Sequence, residues 1–157
     1  MVQIREASPS DYEGMLSVAR SLPEWFNEQG LREMAADLRT HHGFVAVRRT
    51  GAEEQVVDFV TWLPRVGDVN LVELTWLGVT PQFQGRGLGR RLVEAVADRC
   101  GQIGVSVMEV TTLADSVDYA PYARTRAFYR KLGFRDWRVD ADFYGPGDDR
   151  LVLRKYL

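Results

Sequence analysis

Residues Thr80–Val96 read TPQFQGRGLGRRLVEAV, with Gly85, Gly87 and Gly89 packed into five positions directly before an amphipathic helical pattern. Each glycine leaves its backbone N–H unshielded by a side chain, and Arg86, Arg90 and Arg91 stand among them. A helix start offers unpaired N–H donors and a partial positive charge, which suits a phosphate group. Upstream, Leu71–Val79 (LVELTWLGV) is nearly continuously apolar, as expected of a central strand buried on both faces.

Working outward, residues 2–7 alternate like a strand, and SPSDYEGMLSVARSL opens a helix with Ser8 as N-cap, Pro9 at the first helical position and Asp11 in the first turn. A second helix is expected over 24–40, from Phe26, Leu31, Met34, Ala35 and Leu38. GFVAVRRT and QVVDFVTWL read as strands of a hairpin around GAEE. After the central strand, a helix over about Gly87–Cys100 presents Leu88, Leu92, Val93, Val96 and Ala97 on one face. A strand over 105–113, a helix in ARTRAFYRKLGF ending at Gly133, and a hairpin around Gly145-Pro146-Gly147 complete the chain. The expected class is α/β or α+β: a mixed sheet of about seven strands with helices on both faces. The 157 residues are expected to form a single domain.

Composition narrows the function. The chain is 45% hydrophobic and 27% charged, and 22 acidic against 20 basic residues give a net charge of −2. That balance provides no general attraction to nucleic acid. No stretch has the apolar length of a signal peptide or a membrane span, and the single Cys100 excludes an internal disulfide framework. A cytoplasmic protein with no membrane or nucleic-acid partner is the expectation. His41-His42 has no companion cluster, so no metal is expected.

Three phosphate ligands compete for the glycine loop. A nucleoside triphosphate loop needs Lys-Ser or Lys-Thr after the glycines, and neither is present. A dinucleotide fingerprint from Gly85 meets Arg90 where glycine or alanine belongs, although Glu109 lies about 20 residues on, where a ribose-binding acid would stand. That motif also follows the first strand of its unit, whereas four strands come first here.

The spacing Gln84-x-x-Gly87-x-Gly89 after Leu77-Gly78-Val79 resembles the coenzyme A motif of the GNAT acetyltransferases. Phe128-Tyr129 followed by Gly133-Phe134 is similar to that family's second signature, and the order of elements agrees over essentially the whole chain. Two positions depart from the pattern, Thr125 for a frequent alanine and Tyr122 for a frequent asparagine, which puts that asparagine's contacts to the pantetheine arm in question.

The resemblance implies an N-acetyltransferase that uses acetyl-CoA as cosubstrate and a small-molecule or protein amine as acceptor, with homodimerisation open. It implies that Gln84, Gly85, Arg86, Gly87, Leu88, Gly89 and Arg90 hold the pyrophosphate. Leu77, Gly78 and Val79 would serve through the main chain, and Gly78 is compatible with a local bulge. Tyr129 would be the acid facing the thiolate. Glu73 is the one carboxylate in the central strand. Burial would raise its pKa toward that of a general base, its place matches the catalytic glutamate of the family's histone-acetylating branch, and the alternative is a pair with Arg65. Trp25, Phe26, Asp115 and Asp118 are candidates for the acceptor side; core packing explains the two aromatics equally well, and a charged loop is the ordinary explanation of the two aspartates. Cys100 reads as core or surface, and Asp58 stands where relatives commonly carry glycine. The rival class is a non-catalytic acyl-CoA-binding module on the same fold.

Overall fold

The computed structural model describes all residues Met1–Leu157. Along the chain run β1 (Val2–Glu6), α1 (Tyr12–Arg20), α2 (Glu28–Asp37), β2 (His42–Thr50), β3 (Glu53–Pro64), β4 (Leu71–Val79), α3 (Leu88–Ile103), β5 (Val107–Leu113), α4 (Ala120–Lys131), β6 (Arg135–Asp140) and β7 (Arg150–Tyr156). The strands make a mixed seven-stranded sheet in the order β1-β2-β3-β4-β5-β7-β6. β4 and β5 are parallel, whereas β1–β2, β2–β3, β5–β7 and β6–β7 are antiparallel. No helix is long and apolar enough to cross a membrane.

The chain divides into two compact units, Met1–Leu63 with Thr75–Arg99, and Pro64–Leu74 with Cys100–Leu157. In the first, alternation along β2 sorts the core onto two sheet faces. Val45 and Val47 pack with Phe59, Met15, Val18 and Met34, so α1 and α2 cover one face. Ala46 packs with Val57, Phe83 and Leu88, so the start of α3 covers the other. The β2–β3 register shifts between Ala46, opposite Asp58, and Val47, opposite Val56, leaving Val57 as the extra residue of a bulge. The hairpin closes tightly, with Thr50 opposite Glu53 and Gly51 at φ +63°.

Two helix starts in the first unit differ from expectation. Residues Pro9–Asp11 form a 3-10 turn, with the Ser8 N–H bonded to the Asp11 carboxylate at 2.8 Å, and α1 starts after it. The second helix begins at Glu28 because Asn27 Oδ1 accepts the Gly30 N–H at 2.8 Å, an N-cap that leaves Trp25 and Phe26 outside it.

In the second unit, β5, β7 and β6 form an antiparallel ribbon, and α4 is pinned at its middle and at its C-terminal end. The buried Arg126 Nη1 donates to the carbonyls of Leu113 at 2.8 Å and Ala114 at 3.2 Å. At the C-terminal end Gly133 takes φ +96° and the Phe134 N–H returns to the Tyr129 carbonyl at 3.1 Å, a glycine C-cap. This explains the Gly133-Phe134 pair chemically: glycine turns the chain and phenylalanine enters the core.

Candidate active site

The glycine loop is shaped by two residues, Gly85 and Gly87, both at φ +78°. A Cβ built on either would meet nothing within 4 Å, so backbone conformation, and not space, requires glycine there. Gly89 lies buried inside α3, and Leu88 belongs to the core. The Arg91 N–H bonds to the Gly87 carbonyl at 3.0 Å, so the amides of Leu88, Gly89 and Arg90 are the orphan donors of a helix start. Gln84 Nε2 donates back to the Val79 carbonyl at 3.1 Å, which ties the loop to the end of β4. The Arg86 guanidinium lies 5.2 Å from the Phe83 ring centroid, and Arg48 of β2 lies 5.7 Å from the same ring. Arg90 pairs with Glu94 at 2.9 Å on an exposed helix face.

Leu77 and Val79 are half-buried. Between them, a Cβ on Gly78 would lie 2.6 Å from Phe59 Cε1, so packing demands glycine at this position. Asp58, unexplained from sequence, is fully buried. Its Oδ1 accepts the Thr80 N–H at 2.9 Å, while Oδ2 is buried without a partner. Desolvation pushes this carboxyl up to about 7, against the pull of the Thr80 bond. It therefore anchors the residue from which the glycine loop departs.

On the acceptor side, Phe26 is a core residue, with ring centroids 6.2 Å from Phe59 and 5.7 Å from Trp76, and Trp25 packs partly buried against the same cluster. Trp76 in turn donates to Asp37 at 2.9 Å.

The second unit holds the two proposed catalytic groups. The parallel β4–β5 ladder has three rungs and ends at Glu73 opposite Glu109, although β4 runs on to Val79 and β5 to Leu113. Glu73 thus stands on the last paired rung. It is not the enclosed carboxylate expected: its side chain is 37% exposed, and Arg65 Nε donates to Oε1 at 2.8 Å. The alternative expectation, a pair with Arg65, is formed. The enclosed carboxylate is Glu109, 2% exposed, which accepts from Arg65 Nη2 at 2.5 Å and from Arg154 Nε at 2.8 Å.

Tyr129 is buried on α4, edge-on to Phe128 at 5.1 Å and to Phe134 at 5.4 Å between centroids. Desolvation pushes its phenol well above the usual range, so the hydroxyl stays protonated at any working pH. Tyr122, at the departure from the family asparagine, lies 5.6 Å from the Tyr119 ring. Desolvation raises its phenol too, with Tyr144 and Tyr119 adding to the effect, so three phenols gather at the start of α4. Asp115 is claimed by Arg130 at 2.8 Å, whose bond holds the carboxyl below its ordinary value, and Asp118 is exposed. Cys100 is fully buried and desolvation raises its thiol, which makes it inert packing. No group of His, Cys, Asp and Glu side chains is placed to hold a metal ion.

Sequence reading missed Arg65 as a bridge and Glu109 as its second partner. The available signal was a lone acid in VSVMEVTTL, matching the lone acid in LVELTWLGV.

Comparison with known proteins agrees with this geometry. A family model described as an acetyltransferase (GNAT) domain matches residues 39–136. Mycothiol acetyltransferase of Arthrobacter sp. (strain FB24) is 35% identical over 83 residues, which are 53% of this chain and 22% of that protein. N-alpha-acetyltransferase RimI of Mycobacterium tuberculosis is 33% identical over 84 residues, 53% of this chain and 48% of RimI. The chain spans about a quarter of the length of the first curated relatives that it matches. Among solved structures, a GNAT-family acetyltransferase from Desulfovibrio desulfuricans has a TM-score of 0.88 at 23% identity and covers 99% of both chains. An aminoglycoside 6'-N-acetyltransferase complexed with coenzyme A has a TM-score of 0.75 at 18% identity, covering 98% of this chain and 96% of that one. At these identities the structural likeness speaks for the fold.

Proposed function

The chain belongs to the GNAT acetyltransferase family, and on that premise we propose that it is a single catalytic domain moving the acetyl group of acetyl-CoA directly to an amine. The observation that carries the reading is the loop Gln84–Gly87, two left-handed glycines opening onto the free amides of α3. Such amides suit a pyrophosphate, and a coenzyme A complex of a protein with this fold supports that ligand. Arg86 and Arg90 add positive charge nearby, while Leu77, Gly78 and Val79 offer main-chain groups beyond the last β4–β5 rung.

Three tasks remain: to hold the donor, to remove an amine proton and to stabilise the departing thiolate. Glu73 takes a proton from the acceptor ammonium, directly or through one water. The freed nitrogen attacks the thioester carbon, a β4 amide bonds the developing oxyanion, and the carbon–sulfur bond breaks. The nitrogen loses its second proton to solvent as the tetrahedral intermediate collapses, Tyr129 gives its proton to the thiolate and regains one from solvent, and Glu73 releases its own, so one proton leaves per turnover. The protonated state of Tyr129 suits that role. Trp25, Asp115 and Asp118 are the acceptor-side candidates that retain accessible surface, with Asp115 paired to Arg130.

The acceptor class is tested with amines of the kinds that similar proteins are named for: kanamycin as an aminoglycoside, a peptide beginning with alanine, and spermidine as a control polyamine. Thiol release from acetyl-CoA should rise with at least one. Glu73→Gln should keep coenzyme A binding and lose about 10²–10⁴-fold in turnover, the usual range for a general base. Wild-type turnover in this variant would remove Glu73 from the mechanism.

A further inference from the structure

Glu73 and Glu109 occupy the same rung of the parallel ladder, and like charges directly opposite one another repel. Arg65 resolves the conflict. The β3–β4 turn places it there: Arg65 N–H bonds to the Leu71 carbonyl at 3.0 Å, and Gly67 turns the chain at φ +87°. Its Nε reaches Glu73 at 2.8 Å, and its Nη2 is shared between Glu73 and Glu109. Burial of the guanidinium works against its charge, and the bonds to the two carboxylates more than offset this.

Glu109 is itself held from the far side. Arg154, opposite it on the β5–β7 ladder, donates Nε to its second oxygen at 2.8 Å, and the Arg154 guanidinium lies 3.5 Å over the Trp137 ring. A line of contacts therefore runs from Glu73 through Arg65, Glu109 and Arg154 to Trp137. Pairing an enclosed carboxylate such as Glu109, 2% exposed, adds little net stability over an apolar side chain of similar volume. Met108 and Val110, the neighbours of Glu109, are such side chains and are buried. Packing alone thus gives no reason for a glutamate at 109. What the line achieves is orientation: one Glu73 oxygen is fixed on Arg65, and Oε2 takes no hydrogen bond from the protein.

We propose that Glu109, acting through Arg65, is the positioning residue that holds Glu73 with Oε2 presented to the acceptor amine; this rests on the reading of Glu73 as the base. The charged groups facing Glu73 are Arg65 and Glu109, with Arg154 behind Glu109. Their charges set opposite signatures. Removing the Arg65 cation makes Glu73 easier to protonate, and removing the Glu109 anion makes it harder.

The test is ¹³C NMR titration of glutamate carboxyls in the full chain, with the Glu73 signal assigned by its loss in Glu73→Gln. The Glu73 midpoint should rise by about one pH unit in Arg65→Gln and fall by a comparable amount in Glu109→Gln, since each removes a charge within a few ångströms. Midpoints unmoved in both variants overturn the proposal. With the amine that releases most thiol, Glu109→Gln should lower kcat/KM at least tenfold at unchanged KM for acetyl-CoA, and the double variant should be no worse than Arg65→Gln alone. Additive losses overturn action through Arg65. Should Glu109→Gln fail to fold, Arg65→Lys serves instead: it keeps the charge but loses the planar fork, so it should hold the midpoint near wild type and still slow turnover. A wild-type rate there overturns the positioning role. The base reading fails separately, by full turnover in Glu73→Gln, whatever the titrations show.

Discussion

At the scale of single residues, burial and partners decide more than residue type. Asp58 has a folded-state value of about 7 against an ordinary 3.8, because desolvation outweighs its one bond to the Thr80 amide. Below about pH 4 both folded and unfolded chains carry the proton. Between about pH 4 and 7 only the folded chain keeps it, so stability falls as pH rises and the loss is complete above about 7. At 1.36 kcal/mol per unit this contribution is on the order of 4 kcal/mol. Thermal unfolding of Asp58→Asn should accordingly depend less on pH than the wild type, with its largest relative gain near pH 8. Parallel curves from pH 5 to 8 would show that Asp58 does not titrate in that window. Tyr129 calls for a kinetic test. Tyr129→Phe keeps the ring between Phe128 and Phe134 and removes only the hydroxyl, so folding and coenzyme A affinity should survive. A proton given to a charge that exists only as the bond breaks is a transition-state interaction, so kcat should fall about 10- to 1,000-fold, on the order of 1.4–4 kcal/mol. An unchanged kcat would leave Tyr129 as packing.

At the scale of elements, two glycines that look alike in sequence fail for different reasons when substituted. Gly78→Ala drives a Cβ into the fully buried Phe59, an overpacking that costs about 1–3 kcal/mol of stability. Gly87→Asp meets open space but must hold φ +78° and sets a carboxylate where an anion is to bind. The cost there should appear in ligand binding. Coenzyme A at a hundredfold excess over Kd should stabilise the wild type by about 2.7 kcal/mol and the Gly87→Asp variant far less. Equal stabilisation of both would move the phosphate site elsewhere, and stabilisation by NAD alone would return the loop to the dinucleotide reading. The elements themselves were legible because periodicity and caps are local: LVELTWLGV became β4 and the glycine-led amphipathic run became α3. The start of α2 was misread because Trp25 and Phe26 continue the apolar pattern, while Asn27, the cap that stops the helix, sits inside it. Hydrophobic spacing cannot distinguish a helical turn from a loop that packs its aromatics into the core.

At the scale of the whole molecule, the mixed seven-stranded sheet and the family follow from motifs that each span only a few residues. The Glu73–Arg65–Glu109–Arg154 line does not, because it depends on which strands become neighbours and in what register. In sequence, Glu109 was visible only as an acid at a suggestive distance from a glycine loop. The acceptor is equally non-local, which is why similar proteins bear names as different as mycothiol acetyltransferase and N-alpha-acetyltransferase. Fold and family leave an enzyme and an acyl-CoA-binding module as the alternatives. One measurement separates them most directly: mass spectrometry of each amine in the panel after incubation with acetyl-CoA and the protein, with free thiol counted in the same tube. Transfer predicts an amine heavier by one acetyl group and one thiol released per acetylated molecule. Coenzyme A binding with neither acetylated amine nor thiol, from any amine in the panel, would contradict it.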